Sequence, residues 1–306
     1  MNPLPGTLPL LSARETRYLQ ACLPLSTVDI GRGRQVAVRC AGDGEQWVVC
    51  LHGIGSGSAS WLRVAQQLPP GLRLLAWDAP GYGLSTPLEM DKPTALDYAR
   101  RLQELLHVLE VKDFVLVGHS LGALMAGAYA RHLDQGEMQA LFLMSPAIGY
   151  GRPGLEQRRQ AVWDQRMAQV ASGDMGLMAR QRHQRLLSEQ ATSENRELVL
   201  WIMASLHLAG YQQAVQMLCQ EDLLTYLPLS SSVPVAVSCG EVDVVTTPET
   251  CAGVARACSQ HLQLVPQAGH ASYVEQPGAM LEALQSLLGQ TQALRSVATT
   301  RSSHEQ

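Results

Sequence analysis

Ser120 lies in Val117-Gly118-His119-Ser120-Leu121-Gly122, where an apolar run ends in Gly-x-Ser-x-Gly and a helical pattern begins at Leu121. A serine hydroxyl at its ordinary pKa is a poor nucleophile. It needs a histidine within hydrogen-bond reach and a carboxylate that orients the ring. A sharp strand-to-helix turn would hold Ser120 at positive φ and push its hydroxyl outward. Side chains two residues either side would collide there, which accounts for both glycines. The helix start also brings N–H groups and a dipole to the place where negative charge would develop.

Of nine histidines, His270 is the candidate base. It follows an apolar run, in the glycine-punctuated loop Gln267-Ala268-Gly269-His270-Ala271. Loops at strand ends carry chemistry. His107 and His132 fall on helix surfaces, His183 and His207 in a helical stretch, and His119 inside the elbow, directed away from substrate. The acid is expected in Val237-Ser238-Cys239-Gly240-Glu241-Val242-Asp243, a buried strand leading into an acidic loop. Asp243 is further into that loop and better placed to turn back toward His270; Glu241 is the alternative. The order Ser, Asp, His is one of those known for such triads.

An attacking serine generates a tetrahedral oxyanion, which needs two preset donors. Leu121 N–H, just after the nucleophile, is one. Ile54 N–H, in the His52-Gly53-Ile54-Gly55 loop after another apolar run, is the other. His52 is expected to brace this loop, with a role as base the alternative, and Gly53 to let the loop approach substrate. Asp78 precedes Ala79-Pro80-Gly81 and is expected to fix a turn.

These groups can meet only if the chain brings several strand ends to one edge. Strand-like runs occur at Gln35–Arg39, Trp47–Leu51, Leu72–Trp77, Phe114–Val117, Ala140–Met144, Val235–Cys239 and His261–Val265. Those from Trp47 onward are apolar on consecutive positions, as strands covered on both faces are. Helical patterns at Ser60–Leu68, Thr94–Leu109, Leu121–His132, Pro248–Ala257 and Ala279–Leu288 alternate with them. The alternation predicts an α/β fold with a mostly parallel sheet between helices, its ligand crevice at the strand C-terminal ends.

The expected boundaries are an N-terminal extension over 1–25, a core of 26–146 and 228–290, a helical insertion over 147–227 and a disordered tail over 291–306. The insertion, closed by Leu227-Pro228 and Ser230-Ser231-Ser232, stands where a lid would; an inert subdomain is the alternative. Trp163, Met167, Trp201, Met203 and Tyr211 are its candidate pocket residues. Arg152, Arg158, Arg159, Arg180 and Arg182 are the cations available to an anionic substrate.

With 306 residues the chain can bury roughly three quarters of its unfolded surface without staples. A hydrophobic content of 46% and a charged content of 16% exclude a disordered or collagenous chain. Net charge of −4 argues against a nucleic-acid partner. There is no apolar run of membrane-spanning length, and Met1 to Leu11 lacks the basic start of a signal peptide. Seven cysteines without Cys-x-x-Cys predict a reduced, cytoplasmic protein with no zinc site. No metal or organic cofactor is required, and the chain is expected to be a monomer or homodimer.

With His52-Gly53, the Asp78-to-Ser85 segment, Gly118-His119-Ser120-Leu121-Gly122, Asp243 and Gly269-His270 in this order, the chain resembles the α/β-hydrolase superfamily over about residues 26 to 290. The resemblance implies a Ser120–His270–Asp243 triad, with the insertion as its cap. Gly210-Tyr211-Gln212-Gln213-Ala214, Asp222-Leu223 and Val233-Pro234 look most like 3-oxoadipate enol-lactonases, which open a lactone ring during bacterial aromatic breakdown. That implies an ester or lactone hydrolase. Carbon–carbon hydrolases of ring-cleavage products are the alternative, although Ser56-Gly57 and Ala271 depart from their pattern. A non-catalytic small-molecule receptor on this fold is another.

Overall fold

The structure, a computed structural model, describes residues 10–229 and 233–302. Strands β1 (Leu25–Asp29) and β2 (Gln35–Ala41) form an antiparallel hairpin. Six more follow: β3 (Gln46–Leu51), β4 (Leu72–Trp77), β5 (Phe114–His119), β6 (Met138–Met144), β7 (Val235–Gly240) and β8 (Leu262–Val265). They join in the order β1-β2-β4-β3-β5-β6-β7-β8. From β4 onward all neighbours are parallel, while β2 meets β4 antiparallel. This is the α/β arrangement expected from the apolar runs.

Consecutive apolar residues serve opposite faces of the sheet. Val49 and Leu51 of β3, with Leu116 of β5 and Leu141 of β6, face one core. Val48, Cys50, Val115 and Ala140 face the other. The second face is covered by α1 (Ala13–Cys22), α2 (Leu62–Gln66) and the last helix. The first is covered by α3 (Ala95–Val108) and α4 (Leu121–His132), where Thr94 and Asp97 form a capping box at the start of α3.

Between β6 and β7 the described chain has no strand. It runs through α5 (Glu156–Gln169), α6 (Met175–Arg182), α7 (Ser193–Ala204) and α8 (Leu208–Gln220). Helix α8 sinks Tyr211, Ala214, Val215 and Leu218 into the first core, whereas α5 buries no residue completely. Ser230–Ser232, expected to close this insertion, lie outside the described residues. After β7 come α9 (Pro248–Ala257), the single turn α10 (Ser272–Glu275) and α11 (Pro277–Ser302).

Three local features are added by the structure. Much of the N-terminal segment is built into the fold: Leu19 and Leu23 enter the second core, and Glu15 pairs with Arg63 at 2.7 Å. Residues 1–9 lie outside the described chain. The edge strand β1 shows no apolar run, because its residues are almost all exposed. The polar segment from Thr291, expected to be disordered, continues α11 to Ser302, since no proline interrupts it; residues 303–306 lie outside the described chain.

One contact ties two loops of the active edge together. Trp61, fully buried after the His52-Gly53 loop, stacks on Tyr273 at 4.2 Å between ring centroids. The Tyr273 hydroxyl donates to Ser60 Oγ at 3.0 Å. Trp61→Ala should therefore lower stability by about 3–5 kcal/mol, read as a reduced urea midpoint. An unchanged midpoint would show that this contact contributes little.

Candidate active site

The β5–α4 junction holds Ser120 at φ 53° and ψ −115°. The flanking glycines leave no room for substitution. A Cβ on Gly122 would stand 2.4 Å from Leu51 O, and one on Gly118 would stand 2.7 Å from Gly122 O. The strained turn is fastened from both sides, with Ser120 N–H donating to Met144 O at 3.0 Å and Ser120 O accepting from Ala147 N–H at 3.1 Å. Strain of this kind persists only where the surroundings over-determine it.

A cavity of about 340 Å³ opens above this turn, lined by Ser120, His270, Ile54 and Leu121 among others. Ser120 and His270 thus share one chamber. Among the described residues the Ser120 hydroxyl makes no hydrogen bond of its own. Ile54 and Leu121 border the same space, and the N–H of neither donates to a backbone carbonyl elsewhere in the described chain. As the first residue of α4, Leu121 carries one of the helix's unpaired N–H groups.

His270 Nδ1 stands 2.8 Å from Asp243 Oδ2. The carboxylate is gripped on its other side: Oδ1 accepts from Val245 N–H at 2.7 Å and Thr246 N–H at 3.0 Å. Burial would push the Asp243 carboxyl up; the opposing charge and hydrogen bond of His270, with the Val245 amide, outweigh it and hold the group at about 2. Glu241, the alternative acid, instead accepts from Gln267 N–H at 3.1 Å, away from His270.

Thr246 has no signal in the sequence. Its hydroxyl lies 3.0 Å from Asp243 Oδ2, 2.9 Å from Ser145 O and 3.2 Å from His270 Nδ1, so it sits on the acid–base contact itself. Its position three residues after Asp243 is set by the loop bending back on the carboxylate, which no local pattern announces. His119 is closer to the chemistry than expected. Its ring packs 4.8 Å from that of His270, its Nε2–H donates to His270 O at 2.9 Å, and the residue also borders the cavity. Burial first, then the neighbouring His270, press its pKa down to about 3, so it is a neutral prop.

His52 braces the loop. Its Nδ1 contacts Gly53 O at 2.8 Å and its Nε2 accepts from Ala79 N–H at 3.0 Å, while burial holds its pKa below the ordinary value. Gly53 lines the cavity and His52 does not. The Asp78 carboxylate reaches outside its own turn and ties it to the loop after β3, accepting from Ser58 N–H at 2.7 Å. Of the pocket candidates, Tyr211 and Met203 border the Ser120 cavity. Trp163 and Met167 pack at the fringe of the core, and Trp201 lines a separate cavity beside Asp78. They miss the chamber because each falls on a different side of its helix. Among the described residues no three His, Cys, Asp or Glu side chains gather as a metal site would require.

The depressed Asp243 pKa carries a stability signature. Its folded value, about 2, lies below the ordinary aspartate value of 3.8, so ionised Asp243 stabilises the fold above pH ~4 and that contribution fades as pH falls from 4 to 2. The shift corresponds to on the order of 2 kcal/mol. Denaturation midpoints measured from pH 7 to 2 should drop less across that window in Asp243→Asn than in the unaltered protein. Parallel profiles would contradict the assignment.

Comparison with known proteins agrees with this architecture. Residues 46–277 match the family described as alpha/beta hydrolase fold. A 2-succinyl-6-hydroxy-2,4-cyclohexadiene-1-carboxylate synthase of Yersinia pseudotuberculosis is 26% identical over 81% of this chain and 89% of its own. A 2-hydroxy-6-oxononadienedioate/2-hydroxy-6-oxononatrienedioate hydrolase of Comamonas testosteroni is 36% identical over 35% of this chain and 38% of its own. The enol-lactonase of Burkholderia xenovorans LB400 superposes with a TM-score of 0.73 at 20% identity, over 86% of this chain and all of that one, a likeness of fold. A strand-to-helix elbow carrying Ser120, a parallel sheet with a helical insertion after β6, and a family match over most of the length lead to one conclusion: the chain belongs to the α/β-hydrolase fold family.

Proposed function

We propose that this protein is a serine hydrolase that cleaves a carboxylic ester or lactone through an acyl-enzyme. The observation that carries the reading is the shared chamber of Ser120 and His270, with His270 Nδ1 held by Asp243 at 2.8 Å. That hydrogen bond fixes the tautomer with the proton on Nδ1 and leaves Nε2 as the base. Ser120 Oγ attacks the carbonyl carbon as its proton passes to His270. The carbonyl oxygen becomes an oxyanion received by the N–H groups of Ile54 and Leu121. Collapse expels the alcohol, protonated by His270, and a water activated by the same ring releases the acid and regenerates Ser120.

Enol-lactones of aromatic breakdown are the first substrates to try, on the strength of the cap-end residues around Tyr211. Carbon–carbon hydrolysis of ring-cleavage products is the second reading, favoured by the partial match to the Comamonas hydrolase. Both readings use the same three side chains and differ in the bond presented to them. A cytoplasmic setting is part of the proposal. It fits seven unpaired cysteines, five of them buried, and the finding that among the described residues no single helix is long and apolar enough to cross a membrane.

Ser120→Ala should lower kcat on the best ester or lactone by on the order of 10⁴-fold or more. The unaltered protein should be labelled at Ser120 by a fluorophosphonate. Labelling without turnover of any ester, lactone or ring-cleavage product would favour the receptor. Near-normal turnover by Ser120→Ala would refute the nucleophile.

A further inference from the structure

The Lys, Arg, Asp and Glu side chains bordering the Ser120 cavity are all arginines: Arg158, Arg166, Arg182 and Arg185, with no Asp, Glu or Lys among the lining. This is not a by-product of a basic chain, since the protein's net charge is −4. Helix geometry produces the cluster. Arg158, Val162, Gln165 and Arg166 are spaced along one face of α5, and Met178 and Arg182 along one face of α6, with Arg185 in the turn that follows. These faces roof the chamber whose floor is Ser120.

Two of the five arginines that the sequence offered, Arg158 and Arg182, reach the chamber, and Arg166 and Arg185 join them. Arg152 and Arg180 are spent on Asp222 and Asp174 outside it. Among the described residues none of the four roof arginines has a carboxylate within 4.0 Å. Their partners are neutral: Arg166 Nη1 donates to Tyr211 Oη at 3.1 Å, Arg182 Nη1 donates to Gln169 Oε1 at 2.7 Å, and Arg158 lies 6.0 Å from the Tyr150 ring centroid. Each fork keeps further N–H donors free. Burial first, and then repulsion from Arg166, press the Arg182 pKa down to about 10, so Arg182 itself stays charged at neutral pH. The charges of Arg166 and Arg185 oppose that of Arg182, and a multiply charged anion would relieve that repulsion.

Resting on the acyl-enzyme reading, we infer that the substrate is a polyanion whose reacting carbonyl sits at Ser120 while at least two oxyanion groups, carboxylate or phosphate, are held in the roof by Arg158, Arg166, Arg182 and Arg185. Guanidinium forks match both oxyanions in two-pronged geometry. The arginines are specificity determinants and take no part in bond making.

Two measurements test this. The first needs no turnover. Propane-1,2,3-tricarboxylate and pyrophosphate are titrated at constant ionic strength while Tm is followed. A Tm rise with either supports the inference, and the better of the two identifies the oxyanion. The response should vanish in Arg166→Gln/Arg182→Gln and persist in Arg152→Gln. Should the inner double variant not fold, Arg158→Gln/Arg185→Gln at the exposed rim takes its place, with a weakened response expected. The second compares kcat/KM for mono-4-nitrophenyl adipate and 4-nitrophenyl hexanoate. The anionic ester should be preferred by about tenfold or more, with that ratio falling toward one in the double variant. No Tm response to either anion, together with no preference for the anionic ester, overturns the inference. A protein that shows the Tm response yet turns over no ester, lactone or ring-cleavage product keeps the anion site and loses the acyl-enzyme reading.

Discussion

The site depends on one residue held in a backbone conformation that L-amino acids avoid. Ser120 at φ 53° sits where β5 stops and α4 starts, and every flanking feature serves that turn. Gly118 and Gly122 remove Cβ atoms that would strike backbone within 2.7 Å. The parallel neighbours β3 and β6 anchor β5 from both sides. The strain is local and the restraint is distributed, so the hydroxyl is positioned by the whole sheet.

The remaining polar groups arrive on loops, and each loop is pinned from outside itself. Asp243 is fixed by the amides of Val245 and Thr246. The backbone around His270 is held by the His119 ring through His270 O, by Glu275 through Gly269 N–H at 2.8 Å, and by Leu186 through Ala271 N–H at 2.8 Å. Leu186 belongs to the insertion between β6 and β7 and also borders the cavity, so the roof helps to place the base. Core and insertion therefore form one continuous wall around the chamber.

The floor and the roof differ in electrostatic character. Around Asp243 and His270 opposite charge and hydrogen bonds hold the carboxylate ionised. In the roof like charges stand together without carboxylates. The first pattern stabilises the empty protein, whereas the second would be eased by a bound anion. That contrast separates groups that position chemistry from groups that select what enters.

Much of this was legible in the residues alone, and the reason is steric. Strands buried on both faces must be apolar at every position, so β3 to β7 announce themselves; the exposed edge strand β1 does not. The elbow is equally visible, because its backbone tolerates only glycine two residues before and two residues after Ser120. Asp243 and His270 could be named because chain order and glycine-flanked loops restrict the choice. Their mutual distance, the intrusion of Thr246, the placing of Trp201 in another cavity and the gathering of Arg166 and Arg185 with Arg158 and Arg182 had to await the folded chain. Which side of a helix turns inward, and where a loop folds back, is settled by contacts between segments far apart in sequence. Such contacts leave no spacing for a local pattern to show.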